Sequence, residues 1–335
     1  MVVKSKCSPD KVIKYSIIIP VKELNDYIRE TVPHIQSLSS NNWELLIIPN
    51  ESSDNEWVDE RIKIAASGRV GPAAKRDLGG KIAQGEILVF LDDDSYPNPN
   101  LLEVASFYFD DHAVVAIGGA AITPPGDSFW QKVSGAVYLS KYSGGNPERY
   151  MPIGEVKVVD DWPSVNFMVR RNEFLAVGGF NSPYWPGEDT WFCMDLIKKT
   201  GKKILYVPKL VVWHHRREGI AAHLKQVGAY GLHRGYFARK YRGNSLKFRY
   251  FLPSIWVLFL VFAFISALVG YWGALITLIF IIYFIAIALA IREINKYCTY
   301  LVSVASLPYI LLTHVCYGFQ FLRGFGSKEL ISKMR

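Results

Sequence analysis

The chain has 335 residues, half of them hydrophobic, with a net charge of +8 and a mean hydropathy of +0.13. That balance is too apolar for an ordinary soluble enzyme, and the excess is concentrated in the last third. Four cysteines (Cys7, Cys193, Cys298, Cys316) without C-x-x-C spacing suggest neither a zinc site nor a disulfide framework and suit a reducing compartment.

In chain order, Met1 to Tyr15 is polar and lysine-bearing. It shows no apolar run before a cleavage site, so it does not read as a secretory signal, and the large N-terminal part is expected in the cytosol. Strands are predicted at Tyr15–Pro20, Glu44–Ile48, Ile87–Leu91, Val114–Ile117, Val165–Val169 and Ile204–Val207, several apolar at consecutive positions as in doubly covered sheets. Helices are predicted between them, at Leu24–Leu38, Gly71–Ala83, Asn100–Phe109, Arg171–Val177 and Thr190–Lys199. This alternation predicts an α/β domain over residues 1–249, with a mainly parallel sheet and helices on both faces.

Such sheets bind ligands at the carboxyl ends of their strands. Three of those ends carry unusual chemistry: Pro20-Val-Lys-Glu23, Pro49-Asn-Glu-Ser-Ser-Asp54 and Asp92-Asp-Asp-Ser95. Three adjacent carboxylates repel one another unless something neutralises them. A hard divalent cation does so and bridges to substrate phosphates. In an extended segment Asp92 and Asp94 point one way and Asp93 the other, which leaves Asp93 a spacer. The competing reading is a solvated acidic loop favouring the helix near Asn100. Lys75 and Arg76 form either a diphosphate-binding pair or an exposed helix face. Glu188-Asp189 reads either as a helix cap or as a general base for an acceptor hydroxyl.

No Asp, Glu, Lys or Arg occurs from Tyr250 to Ile291, nor from Tyr297 to Leu322. Crossing a membrane takes about 20 apolar residues. The first run therefore predicts two spans, with Gly270-Tyr-Trp-Gly273 as the turn between them. The second predicts a further segment, either spanning or, with Pro308 and His314 inside it, re-entrant or interfacial. Together they make a membrane domain over residues 250–335. Lys225, Arg234, Arg239, Lys240, Arg242, Lys247 and Arg249 crowd the preceding flank, and Arg292 and Lys296 follow the hairpin, which places both flanks in the cytoplasm. The tail cations Arg323, Lys328, Lys333 and Arg335 fit that orientation only if the last segment does not cross. Phe129–Tyr150, with Phe129, Trp130, Tyr138, Tyr142, Lys132 and Lys141, reads as a membrane-interface stretch or as a packed acceptor loop.

Several motifs then line up in order. Ser16-Ile-Ile-Ile-Pro-Val-Lys-Glu23, Ala74-Lys-Arg-Asp77, Gly85-Glu-Ile-Leu-Val-Phe-Leu-Asp-Asp-Asp94, Asn166-Phe-Met-Val-Arg-Arg171, Gly178-Gly-Phe180, Gly187-Glu-Asp189, Tyr206-Val-Pro208 and Val212-Trp-His214 span residues 15–240. In this order and spacing the chain resembles family 2 glycosyltransferases of the GT-A fold, of the membrane-anchored surface-glycan type. The resemblance implies an inverting transfer that uses Mg2+ or Mn2+ and a nucleotide-sugar donor. It implies that Pro20, Val21 and Glu23 line the nucleoside pocket and that Arg76 and Asp93 sit by the donor. Asp92 would lie near the ribose and metal, and Asp94 on the metal. Asp189 would be the base, with Glu188 beside it, and His214 would be a further metal ligand. Where the family places an acidic pair against the base, this chain has Pro49-Asn50, so Asn50 takes that position and UDP and GDP both stay open. The Q-x-x-R-W signature of processive synthases is replaced by Gln226-Val-Gly-Ala-Tyr-Gly-Leu-His-Arg234, whose Arg234 is a candidate donor contact. The expected acceptor is a polyprenyl- or lipid-linked glycan at the plasma membrane, with no nucleic-acid partner. The alternatives are a processive polysaccharide synthase, a nucleotidyltransferase on a related sheet, and a non-enzymatic membrane scaffold.

Overall fold

The computed structural model describes residues 15–330, so Cys7, Lys333 and Arg335 lie outside the described residues. The strands are β1 (Tyr15–Pro20), β2 (Trp43–Ile48), β3 (Ile62–Ile64), β4 (Ile87–Leu91), β5 (Ser95–Pro97), β6 (Val114–Ile122), β7 (Lys157–Val159), β8 (Asn166–Arg170) and β9 (Lys203–His214). They form one mixed sheet in the order β3-β2-β1-β4-β8-β6-β9-β5, with β7 also paired to β9. From β3 to β4 all pairs are parallel, and β8 runs against both β4 and β6.

All six predicted strands are present. Three three-residue strands, β3, β5 and β7, were not predicted, because so short a run shows no periodicity. Strands β6 and β9 run further than predicted, past Gly118-Gly119 and past Pro208. There the β6–β9 register shifts, with Gly118 opposite Tyr206 but Ala120 opposite Val211. The Asn166 amide donates to Ala120 O at 3.0 Å and Leu210 O at 2.9 Å, and so bridges the two strands at the irregularity.

Helices cover both faces. On one, Ile28, Val32 and Ile35 of α1 (Asp26–Gln36) and Leu101, Leu102 and Ala105 of α3 (Leu101–Phe109) pack on Ile17, Ile19 and Val89. On the other, α2 (Pro72–Ile82) and α5 (Arg171–Val177), with α6 (Glu188–Thr200), pack Ala73, Phe174, Val177, Phe192 and Leu196 on Ile18, Leu88 and Phe90. Every residue of β1, β2 and β4 is buried, which is why these segments read as continuous apolar runs.

Beyond the sheet lie α4 (Phe129–Ala136) and a 21-residue helix, α7 (Ile220–Lys240), then the apolar helices α8 (Leu252–Leu268), α9 (Ala274–Ile294) and α10 (Tyr300–Gly326). Helices α8 and α9 are joined at the predicted turn, where Gly270 adopts a φ of +75°. Helix α8 has 17 residues, and at ~1.5 Å per residue it falls short of a ~30 Å hydrocarbon core. Helices α9 and α10 are long and apolar enough to cross a membrane, with mean hydropathies of 3.0 and 1.5. They differ in exposure: 17% of the apolar window of α9 is buried within the protein, against 44% for α10. Helix α10 runs unbroken through Pro308.

The buried face of α10 lies against α7 at the level of the backbone. A Cβ on Gly235 would come within 2.1 Å of Phe321 O, one on Gly324 within 1.9 Å of Leu232 O, and one on Gly231 within 2.6 Å of Tyr317 O. Only glycine permits that approach. Beside this seam, the fully buried His223 of α7 takes Ser134 Oγ of α4 at 2.8 Å on Nδ1 and Thr313 Oγ1 of α10 at 2.8 Å on Nε2. Both hydroxyls can donate or accept, so a neutral ring satisfies the cluster. Burial pulls the His223 pKa down from 6.5 to about 4.

A depressed folded pKa contributes stability that is complete above the unfolded value of ~6.5 and is lost as pH falls through the folded one. Thermal unfolding of the detergent-solubilised chain should therefore drop between pH 6.5 and pH 4. That drop should be smaller in His223→Phe, and an identical pH profile in the two proteins would refute the assignment.

Candidate active site

The turn after β4 gathers the acidic cluster. Ser95 N donates to Asp92 O at 3.2 Å, while Ser95 Oγ accepts from Asp92 N at 3.1 Å. Asp92 and Asp94 converge through this turn, not through the strand alternation expected from the sequence. Asp93 points instead to Asn25, whose amide donates to it at 2.8 Å. Burial, then the neighbouring Asp94, raises the Asp93 pKa to about 6.

Strand β5 continues the turn and pairs antiparallel with the end of β9, setting Ser95 opposite His214. This register delivers His214 to the aspartates. Its Nε2 lies 3.1 Å from Asp94 Oδ1, and one ligand atom each from Asp92, Asp94 and His214 lie within 4.8 Å of one another. Two carboxylates and an imidazole suit a divalent cation. Arg216 Nη1 sits 2.9 Å from His214 Nδ1. A guanidinium only donates, so Nδ1 accepts and the ring proton lies on Nε2, toward Asp94. Arg217 Nη1 donates to the other Asp94 oxygen at 3.1 Å. His214 and Arg217 between them hold the buried Asp94 carboxyl well below the usual range.

Helix α2 supplies the counter-charge. Its Arg76 is 3% exposed and donates to Asp92 at 2.6 Å and to Glu188 at 3.1 Å, which bridges the end of β4 to the start of α6. Phe180 lies over the guanidinium at 5.6 Å. Asp77 fixes that ring by accepting from Phe180 N at 2.7 Å and Asn181 N at 3.0 Å. A Cβ on Gly179, whose φ is +73°, would fall 2.3 Å from Asp77 Oδ1, so the Gly178-Gly-Phe180 motif needs its second glycine. Glu188 is buried with Oε2 lacking a partner among the described residues, and burial together with Asp189 raises its pKa. Asp189 is half-buried; it accepts from Ser164, its Oδ1 has no partner among the described residues, and burial raises its pKa too.

Pro20 and Val21 are buried at the end of β1, and Glu23 is exposed. Lys75 donates to Val21 O and to Asn50 Oδ1, the latter at 2.6 Å, and ties the ends of β1 and β2 together. Lys75 and Arg76 thus both face inward; neither is an exposed helix face. Arg234 lies in a separate buried network. It donates to Asp161 Oδ2 at 3.2 Å, Asp161 also receives Arg149, and the Arg234 guanidinium stacks on Tyr250 at 4.7 Å.

Arg216, Arg217 and Tyr230 were not singled out from the sequence. Arg216-Arg217 follows His214-His215 directly, and an uninterrupted cationic pair after a candidate ligand was the signal available. Tyr230 is 41% exposed, and its phenol lies in electrostatic range of Asp92, Asp189 and Arg217. It becomes visible only once α7 is placed.

Arg76→Ala leaves Glu188 buried and Asp92 partly buried without their cation. It should destabilise the chain by ~3–5 kcal/mol, since removing one partner strands the other. Glu188→Gln, which preserves the Arg76–Asp92 pair, should cost less, and the double variant should be less than additive. Equal and additive losses in denaturant titrations would show that the bridge does not act as one unit.

The family model of glycosyl transferase family 2 matches residues 16–172. An uncharacterised glycosyltransferase of Haemophilus influenzae is 32% identical over 116 residues, 32% of this chain and 46% of that protein. The chain thus spans a little under half of that relative's length. The dolichyl N-acetyl-alpha-D-glucosaminyl phosphate 3-beta-D-2,3-diacetamido-2,3-dideoxy-beta-D-glucuronosyltransferase of Methanococcus voltae is 25% identical over 249 residues, 69% of this chain and 76% of the relative. Among solved structures, a mannosyltransferase of Pyrobaculum calidifontis in complex with GDP-Man and Mn2+ is similar in fold. Its TM-score is 0.60 at 17% identity, covering 97% of this chain and 91% of that one.

Proposed function

The chain belongs to glycosyl transferase family 2, with its GT-A fold, and from that premise we propose that it moves a sugar with inversion from a nucleotide-sugar donor to a lipid-linked acceptor at a membrane. The observation that carries the reading is the Asp92–Arg76–Glu188 bridge. It joins a candidate cation-binding cluster to a carboxylate pair with a free oxygen.

Asp92, Asp94 and His214 fit a divalent cation, Mg2+ or Mn2+. When bound, that ion offsets the charge developing on the leaving nucleoside diphosphate. Were His214 to hold the ion through Nε2, its ring proton would sit on Nδ1 and Arg216 would turn from that nitrogen, kept nearby by its contacts to Thr123 Oγ1 and Ala121 O. Pro20, Val21, Glu23 and Asn50 form the nucleoside side of the site, closed from behind by Lys75. Asp189 is the base. Its unpartnered Oδ1 takes the acceptor proton as the hydroxyl attacks the anomeric carbon, while Arg76 keeps Glu188 and Asp92 in place. A base must be unprotonated to act.

The acceptor class is supported by the apolar helices beside the domain and by the Methanococcus relative, whose name places its acceptor on a dolichyl phosphate. The cations flanking α8 and α9 support a multi-pass plasma-membrane protein with its catalytic domain on the cytoplasmic side. The Pyrobaculum neighbour's GDP-Man and Mn2+ favour a metal-dependent donor site without selecting a nucleotide for this chain.

Incubation with a panel of nucleotide sugars and membrane lipid extract should yield a glycosylated lipid; no product with any donor would sink the reading. Asp189→Asn should lose transfer by about 100-fold or more, in the range for a positioned base, while donor binding survives. Retained turnover would remove Asp189 from that role. Asp94→Ala should abolish metal-dependent donor binding in calorimetry. Because its pKa is raised, the base predicts a rate that climbs with pH through a midpoint above the ~3.9 of an ordinary aspartate. A flat profile would speak against it.

A further inference from the structure

Both Asp94 oxygens already accept a hydrogen bond. His214 donates to Oδ1 and Arg217 to Oδ2, both at 3.1 Å, and the Asp94 side chain is 7% exposed. Arg76 meanwhile covers Asp92 at 2.6 Å. The cluster is therefore neutralised from within, by the chain's own hydrogen donors. A divalent cation that enters competes with these donors for the carboxylates' charge, and most directly with the one other full positive charge on Asp94, Arg217.

The donors differ in how easily they can leave. Arg76 is buried and bonded on two sides. His214 is fixed in strand β9 and, as a candidate ligand itself, would stay in the site even as its Nε2 gives up the bond to Asp94. The Arg217 side chain is 37% exposed, and it stands between the end of β9 and Ile220, where α7 begins. Among the donors on Asp94 it alone combines a permanent charge, access to solvent and a position outside regular structure. A guanidinium freed at this place faces the ligand whose charge the site must match, a nucleoside diphosphate.

We propose that Arg217 is a placeholder cation: it occupies Asp94 while the site is empty, yields that carboxylate to the metal, and passes to the diphosphate of the arriving donor. This rests on the metal-dependent donor site proposed above and adds a handover to it. Arg217 then acts with opposite sign on two ligands, competing with the metal alone and assisting the metal-bound nucleotide.

Calorimetry on the full chain in detergent tests this with MnCl2 alone, and with UDP and GDP in the presence of Mn2+. Arg217→Ala should bind Mn2+ alone ~2–5-fold more tightly, the range for removing one partly exposed ion pair. It should bind the preferred nucleotide–Mn2+ pair ~10-fold or more weakly, as for a lost charged hydrogen bond. Arg217→Lys should restore the competition with Mn2+ but only part of the nucleotide affinity, because a point charge lacks the planar fork. A gain in metal affinity cannot arise from misfolding, so it separates the handover from structural damage. Unchanged or weaker Mn2+ binding in Arg217→Ala, with wild type binding normally, overturns the inference alone. Wild type that binds nucleotide equally with and without Mn2+ overturns the metal-dependent reading and the handover with it.

Discussion

The buried Arg76 guanidinium is the contact on which the rest of the site depends. Asp92, Asp93, Asp94, Glu188 and Asp189 approach one another from two elements far apart in sequence, and without a cation between them they would push β4 and α6 apart. Arg76 enters from α2, on the same face of the sheet as α6, and satisfies one carboxylate of each group. Its own position is secured by Phe180, which Asp77 holds in place across the Gly178-Gly179 turn. Four sequence motifs that look independent along the chain are thus one electrostatic unit.

The fold was largely readable because the central strands are buried on both faces. Ile17-Ile18-Ile19 and Ile87–Leu91 have no choice of side, so they appear as uninterrupted apolar runs. What escaped notice was set by pairing and not by pattern. Strand β5 is three residues held by β9, and β9 continues through Pro208 only because β6 shifts register opposite it. Helix α7 has apolar residues broken up by Gly228, Gly231 and Gly235, which lowers its intrinsic helix preference; its packing against α10 supplies the order.

Site residues were legible in proportion to how locally their chemistry is set. The aspartate run and the Glu188-Asp189 pair declare themselves by charge density, although the convergence of Asp92 and Asp94 comes from a turn closed by Ser95. His214 reaches Asp94 through strand pairing, and Arg217 through the segment that follows it, across more than a hundred residues, which no spacing rule reports. Arg234 has its charge taken up by Asp161 and its face by Tyr250. Sequence gives its charge but not its partner.

The glycine seam between α7 and α10 carries a mechanical consequence. Where carbonyls fill the space that side chains would need, axial slippage of one residue would drive a side chain into backbone, so the two helices are indexed to one another like teeth. Arg217 lies just ahead of this toothed rod, and Tyr230 and Arg234 lie on it. A tilt of α10 is therefore passed to α7 and to the Tyr230 and Arg234 side chains that α7 carries.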